Sequence, residues 1–289
     1  MIYYLGTYLH DTVEALSFLR LLDSISFRAI SGAITSLMIT ILFGGRVILY
    51  FYGRGHRDIP RDYLNFQAAG NQAKTYGGVL VVAVILISIA LWCKLNSVFV
   101  LLCLAAIIWF AALGWIDDFL KVRHHSSDRG LSETAKLVLQ ISYGTAFGIV
   151  YVTEGFSPLP PGLATQLYLP FFKNPVIDLS WAYVPFIVFT ITAISNSVNI
   201  ADGIDGLAIV PTSFVVAVFG VFAYVSSHAK ISTFLIFPFM PGVGEIAVIC
   251  SIVFGACLGF LWFNSYPANV IMGDTGSMAL GGLLGTVAV

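Results

Sequence analysis

Long apolar runs alternate with short polar connections along this chain. The runs cover about residues 29–52, 77–93, 98–116, 137–153, 181–201, 207–227 and 246–263. A helix needs roughly 20 mostly apolar residues to cross a bilayer, so each run predicts one span. An eighth begins near Ser277 and stops at Val289 after 13 residues. That length does not comfortably cross a bilayer, and the chain is expected to be C-terminally incomplete. The predicted fold is an all-α polytopic membrane protein: about eight transmembrane helices in one domain over residues 1–289. Residues 1–28 differ, with Asp11, Glu14, Arg20, Asp23 and Arg28 scattered among Leu, Phe and Tyr. That mixture predicts an interfacial segment before the first span. Ser157–Gly162, with three prolines, reads as a rigid turn, and Ile231–Pro238 as a second interfacial segment.

The polar connections assign sides. Numbered in order, connections 1, 3, 5 and 7 share one face. Connection 1 carries Arg54, Arg57, Arg61 and Lys74. Connection 3, with the first turn of the next span, carries Lys121, Arg123, Arg129 and Lys136. Connections 2, 4 and 6 carry one lysine each, Lys94, Lys173 and Lys230. Basic residues accumulate on the cytoplasmic side, so the odd connections are expected in the cytoplasm and the N-terminus outside. Arg46 lies close enough to the end of the first span to snorkel.

Composition agrees. The 289 residues are 58% hydrophobic and 10% charged, with net charge −1. Mean hydropathy is +0.91. That excludes an ordinary soluble domain, and the charge provides no attraction to nucleic acid. Cys93, Cys103, Cys250 and Cys257 have no metal-ligand spacing and read as small buried hydrophobes.

In so uncharged a chain, three acidic clusters stand out: Asp117-Asp118, Asp202/Asp205 and Asp274. An Asp at the centre of a span costs roughly 2.5–3.5 kcal/mol on insertion scales, so acids keep to boundaries or to functional sites. All three fall in odd connections and are expected on one face. Asp117 and Asp118 repel each other unless a divalent cation or a lysine is near, and Lys121 is three residues from Asp118. Oxygen ligands of this kind suit Mg²⁺. A solvated helix end is the plainer alternative. Asn199, Asp202 and Asp205, if helical, share one face, a surface for a nucleobase, a ribose or metal-bound water; a capped polar turn is the alternative. Asp274 precedes a new helix, where free N–H groups attract phosphate, or serves as a simple N-cap. Lys74, before Gly77-Gly78, and Lys136, opening the fourth span, are phosphate clamps or topology anchors. His124-His125 read as solvated loop residues. Carboxylates, lysines and a helix N-terminus at one membrane face fit phosphoryl transfer onto a lipid-borne acceptor.

Four motifs sharpen this. They are Asp117-Asp118-Phe119-Leu120-Lys121, Asn199-Ile200-Ala201-Asp202-Gly203-Ile204-Asp205-Gly206-Leu207, Phe260-Leu261-Trp262-Phe263-Asn264 and Met272-Gly273-Asp274-Thr275-Gly276-Ser277. In this order and these connections they resemble the phospho-N-acetylmuramoyl-pentapeptide transferases (MraY, translocase I), within the polyprenyl-phosphate hexose-1-phosphate transferase superfamily. The Leu167–Lys173 segment and Asn264-Ser265-Tyr266-Pro267-Ala268 favour that branch over the N-acetylglucosamine-1-phosphate branch.

The resemblance implies a ten-helix bundle, often homodimeric, in the bacterial cytoplasmic membrane, with a cleft facing the cytoplasm. It implies Mg²⁺-dependent transfer of phospho-MurNAc-pentapeptide from UDP-MurNAc-pentapeptide to undecaprenyl phosphate, giving lipid I and UMP in peptidoglycan biosynthesis. By match, Asp274 binds Mg²⁺, Asp117 deprotonates or orients the lipid phosphate, and Asp118 supports it or the metal. Asn199, Asp202, Asp205, Asn264, Gly273 and Ser277 line the nucleotide and metal pocket. Lys74, Lys121 and Lys136 meet phosphate or nucleotide. Three departures accompany the match. Thr-Tyr-Gly-Gly follows Lys74 where the family has Gly-Thr-Pro-Thr-Met-Gly-Gly. Ile271 stands where a Phe is common. The family's last two helices and its His-His-His motif are absent from the chain as given, which ends at Val289. Three alternatives are a truncated non-catalytic relative that binds lipid phosphate or partners, an N-acetylglucosamine-1-phosphate transferase and, least favoured, a cation channel or transporter.

Overall fold

Every long apolar run folds as a helix. A computed structural model describes residues 1–12, 14–53, 77–124, 130–160, 162–168 and 177–289. Its helices are α1 (Ile2–Thr12), α2 (Ile25–Gly53), α3 (Gly77–Trp92), α4 (Val98–Arg123), α5 (Glu133–Val152), α6 (Tyr183–Ala201), α7 (Ile209–Ser226), α8 (Ala229–Leu235), α9 (Gly244–Asn264) and α10 (Gly273–Ala288). Among the described residues, six helices (α2, α4, α5, α6, α7 and α9) are long and apolar enough to cross a membrane. The apolar α3 and the glycine-rich α10 are shorter, at 16 residues each. These eight correspond to the eight runs, and the chain is an integral membrane protein.

Local chemistry explains several ends. Ser132 caps α5, its hydroxyl accepting from the Ala135 amide at 3.2 Å, with Glu133 in the first turn against the positive helix end. At α10, Gly273 adopts φ +73°, a left-handed conformation that side chains resist, and the chain turns there into the helix. Among the spans, α9 is the most enclosed, 61% buried against 17% for the segment containing α6, which places α9 at the centre and leaves α6 open to lipid. α2 and α7 pack on α9, α4 and α6 flank α10, α5 lies on α6, and α3 bridges α2, α9 and α10.

The structure corrects several boundaries. α4 continues to Arg123, so Asp117 and Asp118 lie within its last turns and not in a connection. α10 begins at Gly273, which puts Asp274 inside its first turn. α6 stops at Ala201 with Asp202 as C-cap, and turns follow, so Asn199, Asp202 and Asp205 do not share a helical face. The proline-rich connection also leads into a small hairpin, β1 (Gln166–Leu167) antiparallel to β2 (Ile177–Asp178). The larger surprise is Arg28. Grouped by sequence with the interfacial segment, it is fully buried and forms a two-pronged ion pair with Glu245 of α9, at 2.8 and 2.6 Å. The Lys94 amide adds a bond to Glu245 at 3.0 Å. All four cysteines are buried free thiols, as expected.

Candidate active site

The site forms where α4 ends and α5 and α10 begin. Asp117, Asp118 and Asp274 each offer a carboxylate oxygen, and these atoms lie within 4.8 Å of one another. Asp117 and Asp118 are buried, at 0% and 1% exposure, in a helix that otherwise carries apolar side chains inward. Two lysines close over them. Lys121 approaches Asp117 Oδ2 at 2.6 Å and Asp274 Oδ2 at 3.0 Å. Lys136 approaches the same two oxygens, both at 2.9 Å. Two carboxylates thus face two ammonium groups, and the third, Asp118, has no lysine partner among the described residues.

The adjacent acids do different work because successive helical residues point about 100° apart. Asp117 faces the lysines, and its other oxygen accepts from the Leu131 amide at 2.7 Å. Lys121, four residues on, reaches Asp117 and not the nearer-numbered Asp118. Asp118 turns to the N-terminus of α10. Its oxygens accept from the amides of Asp274 at 3.1 Å and Thr275 at 2.9 Å, and from the Thr275 hydroxyl at 2.6 Å. It is an N-cap supplied by another helix, satisfying amides that would otherwise be orphaned. Gly114 makes this crossing possible, since a Cβ there would collide with the Asp274 backbone carbonyl.

The remaining candidates form two neighbouring groups. Asn199 donates to Ser277 Oγ at 2.9 Å, tying the end of α6 to α10 one turn below Asp274. Asn264 is buried and clamps two connections, accepting from the Gly206 amide at 3.1 Å and donating to the Val270 carbonyl at 2.9 Å. Asp205 accepts from the Ala268 amide at 3.1 Å. The Asp202/Asp205 turn is therefore joined to the connection leading into Gly273 and Asp274, and all three acidic clusters reach one end of the bundle. Lys74, His125, Arg129 and Lys173 lie outside the described residues. Just after Lys74, the Gly77 and Gly78 amides bond to the carbonyls of Ile271 and Met272 at 3.1 and 2.7 Å, so the start of α3 is seated beside the site.

Three participants escape a sequence reading. Thr275 stands in the last motif as a plain hydroxyl, its place in a helix first turn being the only signal. Gln140, four residues after Lys136, and Asn196, three before Asn199, are polar side chains inside apolar runs, and that interruption was the available clue.

The donor set is chemically specific. Clustered carboxylate oxygens suit a hard divalent cation, and the two ammonium groups beside them suit phosphate oxygens. Residues 98–289 match the family model for glycosyl transferase family 4. Among individual relatives, the phospho-N-acetylmuramoyl-pentapeptide-transferase of Chlorobium phaeobacteroides is 40% identical over 289 residues, all of this chain and 77% of that protein. The protein so named in Desulfovibrio desulfuricans is 37% identical over 278 residues, 94% of this chain and 74% of its own length. That of Citrifermentans bemidjiense is 40% identical over 270 residues, covering 92% and 72%.

Proposed function

The chain belongs to glycosyl transferase family 4 and, within it, to the phospho-N-acetylmuramoyl-pentapeptide transferases; from that membership we propose that it transfers phospho-MurNAc-pentapeptide from UDP-MurNAc-pentapeptide to undecaprenyl phosphate, with Mg²⁺, at the cytoplasmic face of a bacterial inner membrane. An oxygen of the lipid phosphate attacks the β-phosphorus of the nucleotide sugar. The bond from that phosphorus to the bridging oxygen breaks, UMP leaves with the electron pair, and lipid I forms. The observation that carries the reading is the meeting of Asp117, Asp118 and Asp274 with Lys121 and Lys136 at one helix N-terminus.

Mg²⁺ fits the residues present. The carboxylate oxygens are of the type it prefers, and one of the three negative charges lacks an ammonium counterpart. Asp274 would be the chief ligand, with Asp118 supporting it through the first turn of α10. When bound, the cation neutralises charge on the transferring phosphoryl group and leaving group. Asp117 takes the proton of the lipid phosphate or orients it for attack. Lys121 and Lys136, each shared between Asp117 and Asp274, exchange a carboxylate oxygen for a phosphate oxygen when substrate arrives. Lys74 is a further phosphate contact. Asn199, Asp202, Asp205, Asn264, Gly273 and Ser277 shape the nucleotide side. The basic bias of the odd connections supports the cytoplasmic orientation.

The test is UMP release by the purified chain in detergent with undecaprenyl phosphate and Mg²⁺. Release that stops on chelation and returns with Mg²⁺ is expected. Unchanged activity in Asp274→Ala overturns the metal assignment, and nucleotide-sugar binding without turnover favours a non-catalytic role.

A further inference from the structure

A reciprocal amide pair lies one turn inside the membrane from the carboxylates. Gln140 of α5, 1% exposed, donates from Nε2 to Asn196 Oδ1 at 3.2 Å. Asn196 of α6 returns a bond from Nδ2 to Gln140 Oε1 at 2.9 Å, and its second amide hydrogen goes to the Thr192 carbonyl, also at 2.9 Å. Two side-chain amides joined head to tail hold the helices in one register, because a slide along the axis breaks both bonds together.

This pair is one half of a closed arrangement. Gln140 follows Lys136 by four residues, so both lie on one face of α5. Asn199, three residues after Asn196, ties α6 to α10 through Ser277 at 2.9 Å. Ser277 in turn follows Asp274 by three residues and anchors to the Gly273 carbonyl at 3.0 Å. α6 therefore grips α5 through Asn196 and α10 through Asn199. One turn further on, the two gripped helices present Lys136 and Asp274, which meet at 2.9 Å. The α6 ladder sets the gap between ammonium and carboxylate.

We propose that Gln140 and Asn196 are positioning residues that fix where the Lys136 ammonium stands between Asp117 and Asp274. The inference rests on the phosphotransferase reading of that site. The lysine must sit close enough to balance the carboxylates in the free enzyme and be free to turn to a phosphate oxygen in the complex. An α5 that slides or rotates leaves it on one partner only.

The test uses Gln140→Met, which keeps length and removes the amide, and the exchanged pair Gln140→Asn with Asn196→Gln. Two readouts are taken on protein that elutes as folded material. One is kcat and KM for the nucleotide sugar in UMP release. The other needs neither metal nor substrate: acylation of lysine amines by an anhydride at one fixed pH, scored by mass spectrometry at Lys136 and at Lys230 for comparison. In Gln140→Met, kcat is expected to fall about tenfold with KM changed less than threefold, and Lys136 labelling to rise severalfold while Lys230 is unchanged. The exchanged pair is expected to recover most of both. If Gln140→Met keeps wild-type kcat and Lys136 labelling, the pair is merely structural and the proposal fails. If the wild-type chain releases no UMP while Lys136 labelling still follows the amide pair, the phosphotransferase reading fails and the positioning role stands.

Discussion

Two clusters of buried charge lie at different places in this bundle, and they are built on opposite rules. Arg28 and Glu245 match one cation to one anion, with two parallel hydrogen bonds and a further backbone amide on the carboxylate. Asp117, Asp118, Asp274, Lys121 and Lys136 set three anions against two cations, with both lysines shared. The first arrangement matches its charges one to one, and only the Arg28 Nε hydrogen is left without a partner among the described residues. In the second, each lysine is divided between Asp117 and Asp274, while Asp118 has no lysine among the described residues and is held by the amides and hydroxyl at the start of α10. Burial is therefore common to both clusters, and what separates them is how many partners each charge shares.

Substitutions that treat the two clusters differently sharpen the contrast. The largest expected effect is Asp274→Ala, with UMP release falling about 10³-fold, on the scale of removing a main electrostatic contact to a transition state. Its thermal unfolding in detergent is expected to change little. Asp117→Asn is expected to slow turnover about 10²-fold, the scale of one acid–base group, read in the same assay. At the other cluster the pattern inverts. Arg28→Met alone is expected to lose about 3–5 kcal/mol of stability by stranding Glu245, while Arg28→Met with Glu245→Leu recovers most of it. Thermal unfolding checks both, and turnover per folded molecule is expected to hold. Smaller is Thr275→Val, which removes a hydroxyl donor to Asp118 and is expected to cost about 1.5 kcal/mol, measured by unfolding beside kcat. The smallest is Ser277→Ala, about 0.6 kcal/mol for the interhelical hydrogen bond it accepts from Asn199, measured by unfolding beside kcat. Wild-type activity in Asp274→Ala, or a large turnover loss in the Arg28/Glu245 double variant, would erase the distinction.

The same contrast explains what could be read from the chain. The spans were legible because apolar runs of bilayer length have few other uses. The acids of the site were legible because polar residues at the ends of such runs are expensive and come in motifs. Their division of labour was not. Which of Asp117 and Asp118 faces the lysines depends on the rotation of α4 against α10, and that follows from Gly114 permitting close contact between backbones far apart in sequence. An apolar run understates a helix that continues past it, as α4 does to Arg123. The burial of Arg28 is not legible locally, because its partner is 217 residues away.

Asn264 carries a consequence for motion. With one end of its amide on Gly206 and the other on Val270, it fastens the α6–α7 connection to the α9–α10 connection. Neither can swing out alone without breaking a buried bond. The two connections are therefore expected to open together rather than singly. Hydrogen exchange would register this as matched rates at Gly206 and Ala268, with Asn264→Ala and Asp205→Ala together uncoupling the two.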